Sequence, residues 1–489
     1  MINNKSHNIL FKSMSLFGTT QVLRMICKVV AVKCASVFLG PVGIGIIGLV
    51  DNTLGLITQG SSFGMSVIGT KAIAQNKDDA SKTAQIAKLQ LIWMMAAGVL
   101  AALISIVFAE KLSMLTFGDD SYTKYFRLLS LYFIFQAIVN AATVIMQGLN
   151  EIKKLINYQL MSLGFITLST ISCYYFLGIE GIVPSFLLSS FISLVVHLSF
   201  LRKLGLTNVK LSKAQISDYG KKLISSGILL ALNGVFGLVC FYILRQYLLY
   251  TSDDIAILGY YETANIYLLS YFGVIFTSLA ADFFPRLSSK MAVSEDVNEL
   301  VNAQIQLGLL VATPLVLIMY CMAPYIIILL SSAAFLPVQE ILLFGLLSII
   351  CKTINYPMGY MVLGKGDTRH YFIQNIVSDA LILGFTYFLF KEFQLIGIGM
   401  AVFLQYMFFS FYIYYFVKKK YGFVLDKASK TIIVISVLFT FSVVICQFTE
   451  NAVSKVLQYI VAAMGIIYCL HRLIKVTNVL HWIKKSKGE

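Results

Sequence analysis

The feature that most constrains this chain is a succession of apolar stretches, each long enough to cross a hydrocarbon layer, joined by short polar turns. A bilayer core is about 30 Å thick, and a helix rising about 1.5 Å per residue needs about 20 apolar residues to cross it. Such stretches run at about 12–36, 42–68, 89–109, 125–148, 155–177, 181–201, 223–248, 257–283, 301–330, 339–363, 371–390, 395–417, 430–448 and 453–473. In lipid every backbone amide must find its partner inside the segment, so uninterrupted runs of this length dictate helices. The predicted fold is an all-α polytopic membrane protein of about 14 transmembrane helices. Only 12% of residues are charged, against about 25% in a soluble domain. That shortfall excludes an ordinary soluble enzyme, a disordered chain and a fibrous one.

The few charges are unevenly placed. The net charge is +15, and most of the 38 Lys and Arg fall in alternate connections: Lys71 to Lys88, Lys153–Lys154, Arg202 to Lys222, Arg286–Lys290, Lys365–Arg369, Lys418 to Lys430 and the tail after Arg472. The other connections are short and carry Asp119–Asp120, Glu180, Asp253–Asp254 and Glu450. Cytoplasmic loops hold the cations in membrane proteins, so both termini are expected in the cytoplasm. A basic excess distributed this way orients the chain and implies no nucleic-acid partner. The eight cysteines lie almost all within apolar segments and form no CxxC pair, so neither a disulfide framework nor a zinc site is expected. The N-terminus shows no signal-peptide cleavage pattern, and the first apolar stretch reads as a retained helix.

The sequence also resembles itself. At one constant offset Gly43 meets Gly259, Gly148 meets Gly364, Ser162 meets Ser378, Gly181-Ile182 meets Gly397-Ile398 and Phe200 meets Phe416. Six crossings per repeat give both halves the same orientation. Two parallel lobes around a central cavity, with two additional C-terminal helices, suggest an alternating-access transporter. The expected organisation is an N-lobe over 1–203, a cytoplasmic linker over 204–222, a C-lobe over 223–420, and the last two crossings with a basic tail over 421–489.

Enzyme signatures are missing. There is no GxxxxGK[ST] loop, the five histidines show no ligand spacing, and the Gly40–Gly45 run sits between membrane helices, where it reads as a tight outer turn. A membrane glycosyltransferase or polymerase would carry a larger outer loop with catalytic acids than those holding Asp119–Asp120 and Asp253–Asp254. The expectation is a non-enzymatic protein without cofactors.

What remains is charge inside the membrane, which is costly unless paired or hydrated and therefore marks functional candidates. These are Arg24, Lys28, Asp51, Arg245, Glu262, Lys352 and Asp379. Arg24 and Lys28 are one helical turn apart. Gln59 and Asn233 lie on polar stripes of the second and seventh crossings. Counting residues from the intervening turn puts Lys28 level with Asp51, Arg245 with Glu262, and Lys352 with Asp379. Each acid thus has a depth-matched base on the neighbouring helix, either as structural neutralisation or as part of a site. Arg24 is left without an evident acidic partner, and a planar guanidinium suits a phosphate.

The stretch Ala31-Val32-Lys33-Cys34-Ala35-Ser36-Val37-Phe38-Leu39-Gly40-Pro41-Val42-Gly43-Ile44-Gly45 resembles the first inter-helix turn of Wzx-type polysaccharide flippases. These belong to the multidrug/oligosaccharidyl-lipid/polysaccharide exporter superfamily. Leu54-Gly55 through Ala72-Ile73-Ala74-Gln75 is similar to that family's second helix and its exit. The resemblance implies two six-helix lobes with two extra helices. It also implies an oligosaccharide on undecaprenyl pyrophosphate as substrate, flipped from the cytoplasmic to the periplasmic leaflet of the inner membrane. Carried over residue by residue, it gives the pyrophosphate to Arg24 and Lys28, then to Arg245 and Lys352. Gln59, Asn140 and Asn233 would then meet sugar, and Asp51, Glu262 and Asp379 would pair charge or couple an ion, H+ or Na+. A monomer is expected, with polysaccharide polymerase machinery as a possible partner. The competing readings are a peptidoglycan-precursor flippase, a cation-coupled multidrug exporter of the same superfamily and, from a different class, a membrane polymerase or glycosyltransferase.

Overall fold

The computed structural model describes the backbone of residues 4–204, 209–292, 295–449 and 451–486. Side chains are described from Leu23 to Lys475 with a few exceptions inside helices, Asn233 among them. All regular structure among the described residues is helical. Eleven helical stretches are long and apolar enough to cross a membrane. Three of them, of 40, 52 and 53 residues, are long enough for two crossings each, and each is bent near its middle. The described helices therefore hold the crossings read from the sequence.

The chain divides into two compact units, Met1–Tyr242 and Ile243–Glu489. The first comprises α1 (Asn4–Ser62), α2 (Met65–Gln75), α3 (Ala80–Val107), α4 (Ala109–Phe117), α5 (Thr123–Leu128), α6 (Ser130–Gly148), α7 (Ile152–Leu177), α8 (Ile182–Lys203) and most of α9 (Lys213–Ser252). The second holds the end of α9, then α10 (Ile255–Asn265), α11 (Gly273–Ala292), α12 (Asn298–Leu330), α13 (Val338–Gly364), α14 (Thr368–Tyr421), α15 (Lys427–Phe448) and α16 (Ala452–Ser486).

The bend in α1 is the expected tight turn. Gly40 takes φ 64°, ψ −168°, a conformation comfortable only for glycine, and Pro41 follows, where its fixed φ starts the next helix. The second break comes at Phe63 and Gly64, and there α9 packs backbone to backbone. A Cβ on Gly227 would sit 2.0 Å from the Phe63 carbonyl oxygen, and one on Gly64 would sit 2.6 Å from the Gly227 oxygen. Without a hydrophobic drive between helices in lipid, such close approach of small residues is what holds crossings together. The same device recurs in the core of the first unit, where Ala97, Ala101, Ala141 and Ala142 are buried and a Cβ on Gly98 would meet Ala137 at 2.5 Å. In the second unit α13 is the central helix; among the described residues its apolar stretch is more buried than that of any other crossing.

The internal repeat is visible in backbone geometry. Gly178 takes φ 57°, ψ −136°, and Gln394, at the offset that aligns Gly148 with Gly364, takes φ 47°, ψ −126°. Asn150 and Gly366, at the same offset, both have positive φ, 57° and 72°. After the first of these turns a Cβ on Gly181 would lie 2.2 Å from the Cys173 oxygen; after the second, one on Gly397 would lie 2.2 Å from the Leu389 oxygen. Two turns in each unit are therefore built alike, contact for contact.

Candidate functional site

In the first unit, α1 and α7 bring Arg24 to Gln159. The Arg24 guanidinium donates from Nη2 to Gln159 Oε1. An amide orients a guanidinium without neutralising it, and among the described residues Arg24 makes no ion pair. Lys28, one turn further along α1, is exposed. On the other limb of α1 Asp51 is also exposed, and two tyrosines, Tyr132 and Tyr174, lie on α6 and α7. Those two tyrosines line a cavity of about 230 Å³ between α6, α7 and α8, together with Gln136, Thr170 and a row of serines, Ser185, Ser189 and Ser193. Its polar lining is neutral throughout: hydroxyls and one amide. Neighbouring Gln136 donates to Asn140 Oδ1 at 3.2 Å. Asn140 itself lines a smaller cavity of about 30 Å³ with Thr58, Ser61 and Ser62, enough for a water molecule. Gln59 is exposed and lies against α9, where a Cβ on Gly234 would clash with its amide at 2.5 Å. The Asn233 side chain lies outside the described residues.

In the second unit the expected Arg245–Glu262 pair is formed. Arg245 Nε donates to Glu262 Oε1 at 2.6 Å, with only 12% and 15% of the two side chains exposed. The guanidinium also lies 5.7 Å from the centre of the Tyr261 ring. One turn beyond Glu262 the helix opens into a π-helical segment, Ile266–Tyr271, an irregularity that recurs at functional sites.

Lys352 and Asp379 differ from the expectation. Among the described residues they form no ion pair; the Lys352 ammonium sits over two aromatic rings, 5.3 Å from Phe276 and 5.7 Å from Tyr406. Counting residues from a turn fixes the height of a side chain but not its azimuth, and α13 directs Lys352 toward these rings, whose faces attract a cation. The next turn of α13 is also polar: Asn355 donates to the Tyr406 carbonyl at 3.1 Å, and the Tyr356 hydroxyl accepts from Gln304 at 2.6 Å.

Several of these residues escape a reading based on charge. Gln159, Tyr132, Tyr174 and the α8 serines carry none, although the spacing of Ser185, Ser189 and Ser193, four apart on an apolar helix, is a readable stripe. The partner of Arg24 lies in a distant segment, which no local pattern reveals.

A family model described as "Polysaccharide biosynthesis protein" matches residues 10–291, more than half of the sequence. The chain belongs to the polysaccharide biosynthesis protein family. This family member is 23% identical over 385 residues to the Lipid III flippase of Escherichia coli (strain K12), an alignment covering 77% of this chain and 90% of that protein. Its fold is shared with an inward-facing multidrug resistance MATE family transporter of the MOP superfamily, at TM-score 0.67 and 16% identity over 81% of this chain and 95% of that one. It is shared also with the Lipid II flippase MurJ in an inward closed conformation, at TM-score 0.63 and 14% identity over 89% and 99% of the two chains. The fold is thus that of MOP-superfamily transporters, and the expected polytopic all-α architecture is confirmed.

Proposed function

We propose that this protein is a flippase for a polyprenyl-pyrophosphate-linked oligosaccharide of the O-antigen class. It moves its substrate from the cytoplasmic to the periplasmic leaflet of the inner membrane by alternating access. The carrying observation is Arg24: a guanidinium on an apolar helix, oriented by the Gln159 amide, with no ion pair among the described residues. Such a group repays its cost when an anion arrives, and a pyrophosphate accepts a guanidinium fork bidentately. Lys28 adds a second cation one turn away. In the second unit Lys352, capped by rings rather than by Asp379, is a further cation candidate, whereas the Arg245 charge is balanced by Glu262. Neutral amides and hydroxyls such as those of Gln59, Asn140 and the α8 serines suit glycan hydroxyls, and the polyprenyl tail stays in lipid. Asp51 or Asp379 exchanges a proton or Na+ to drive the cycle. Both termini face the cytoplasm, and the protein acts as a monomer that hands its product to polymerase machinery.

The test is reconstitution in proteoliposomes with a fluorescent lipid-linked oligosaccharide. Arg24→Ala is expected to lower the flipping rate by about 10²-fold, the worth of a charge-assisted bidentate contact of about 3 kcal/mol, and Arg24→Lys to recover part of it. Near-normal flipping by Arg24→Ala sinks the anion-binding role. A peptidoglycan precursor is the second reading, favoured by the fold shared with MurJ. It predicts that Lipid II is flipped in the same vesicles at least as fast as the longer oligosaccharide.

A further inference from the structure

The first unit carries a third cavity, apart from Arg24 and Lys28. It has a volume of about 330 Å³, within the range of small-molecule pockets. Its walls come from the end of α4, the following turn, α5, the 3₁₀ turn Gly178–Gly181 and the start of α8, beside the second limb of α1. This end of the unit holds the Asp119–Asp120 and Glu180 connections, the acidic ones that the charge pattern assigns to the periplasmic side.

We infer that this cavity is a glycan-docking subsite, which holds a neutral sugar of the translocated oligosaccharide on the periplasmic side. The inference rests on the flippase reading above. Three features carry it. The first is an aromatic wall: Tyr122 stacks on Phe117 with centroids 4.0 Å apart and planes 21° apart, and Tyr125 follows at 5.9 Å. The C–H face of a pyranose carries a partial positive charge and packs on ring faces, which are negative. The second is a rim with both kinds of hydrogen-bonding partner for sugar hydroxyls. Lys124 donates, its ammonium resting 4.9 Å from the centre of the Tyr125 ring, and Glu180 accepts; both are exposed at the mouth. The third is preorganisation, which lowers the ordering cost of binding. Ser113 Oγ donates to the Asp119 carbonyl at 2.7 Å and accepts from the Tyr122 amide at 3.2 Å, and Asp119 Oδ1 accepts from the Ser121 amide at 2.8 Å. The aromatic wall is therefore tied down before any ligand arrives.

The charge pattern selects among occupants. Glu180 on the rim and Asp119 and Asp120 in the adjoining turn are all exposed and outnumber the one rim cation, Lys124, so the balance of charge at the approach disfavours phosphate and anionic lipid headgroups and leaves neutral sugar favoured. A subsite here would hold the glycan as it leaves the membrane and oppose its return.

The test uses the full-length protein in lipid nanodiscs and saturation-transfer NMR. The probe is the neutral oligosaccharide obtained by mild acid cleavage of the host cell's polyprenyl-pyrophosphate precursors, free of phosphate and lipid. Wild type is expected to saturate the sugar C–H protons. Tyr122→Ala and Tyr125→Ala should each weaken binding by roughly tenfold, one aromatic contact's worth, and Glu180→Gln by a smaller factor. The ring-preserving Tyr122→Phe and Tyr125→Phe variants should stay within about twofold of wild type, which separates loss of the ring face from loss of fold. Absence of saturation with wild type, or alanine variants that bind like wild type, overturns the subsite. Competition by anionic-lipid vesicles but not by excess oligosaccharide overturns it in favour of a lipid headgroup site. Wild-type flipping in proteoliposomes is read separately. Flipping without sugar saturation defeats only the subsite, whereas sugar saturation without flipping defeats the transport reading and leaves the cavity a sugar site.

Discussion

Arg245 and Glu262 show what a single buried charge pair does in this protein. With 12% and 15% of their side chains exposed and 2.6 Å between the atoms, they cancel in a medium where neither ion is tolerable alone. Removing one partner of such a pair costs about 3–5 kcal/mol, whereas replacing both with apolar groups of similar size is close to neutral. Glu262→Ala is therefore expected to lower the thermal unfolding midpoint sharply in detergent, and Arg245→Met with Glu262→Leu to recover most of the loss and to retain flipping. A double variant as unstable as the single one would show that Arg245 is held mainly by its other contacts. This pair was legible from the sequence because turn position and charge sign were enough to match it. Lys352 and Asp379 satisfied the same rule and did not pair, since the rotation of α13 gives Lys352 to Phe276 and Tyr406 instead. The amide that orients Arg24 was illegible for another reason: Gln159 carries no charge and lies in a segment brought to α1 only by tertiary packing.

At the scale of elements, the turns tell most. Gln394 occupies a backbone conformation that its counterpart Gly178 takes without strain, and a non-glycine residue there costs about 1–3 kcal/mol. Gln394→Gly is expected to stabilise the second unit by about 1 kcal/mol, and Gly178→Gln to destabilise the first by a similar amount. Denaturant titration of the detergent-solubilised protein checks both, and a destabilising Gln394→Gly would show that the glutamine side chain makes a compensating contact. The sequence offset already paired these positions; that a glutamine adopts the glycine geometry could not be read from it. The same helical hairpin, α14, is clasped at its open end. Asp367 precedes its first turn, accepts from Lys420 and from the Tyr421 hydroxyl at its last turn, and pairs with His370 Nδ1 at 2.7 Å. The Lys420 ammonium, and after it His370, holds the Asp367 carboxyl well below the usual carboxylate range. A carboxyl whose folded value lies below its unfolded one, about 3.9, stabilises above that pH and loses the contribution as pH falls through the folded value. Lys420 is partly exposed, so the clasp is worth about 1 kcal/mol or less. Wild type should thus be slightly more stable than Lys420→Met at pH 7, with the difference shrinking below about pH 4. A gap that persists undiminished at pH 3 would assign the effect to packing of the lysine stem.

For the molecule as a whole, the sequence disclosed the crossings, their repeat and the wider polysaccharide biosynthesis family, because lipid leaves the backbone few choices and the turns keep their phase. It disclosed less about how charge is carried through the membrane. Arg24 and Lys28 both belong to the first unit and both precede the Gly40 turn, on a helix fixed to α7 through Gln159. On the proposed reading, cations anchored in this way would hold the headgroup without crossing with it. A pyrophosphate diester bearing about two negative charges then crosses most of the membrane field uncompensated, and each elementary charge is worth about 2.3 kcal/mol per 100 mV. Outward movement should therefore be driven by an inside-negative potential. In proteoliposomes carrying the protein right-side-out, a valinomycin–K+ diffusion potential, negative inside, is expected to raise the outward flipping rate of the lipid-linked oligosaccharide. Reversing the K+ gradient should slow it. Arg24→Ala, with a lower rate throughout, should keep the same voltage dependence, because in the proposed role the residue would bind the charge without carrying it. A wild-type rate indifferent to potential would instead require a compensating cation to travel outward with the substrate. Asp51 and Asp379 would then be the first positions to neutralise, because a symported proton or Na+ would need one of them.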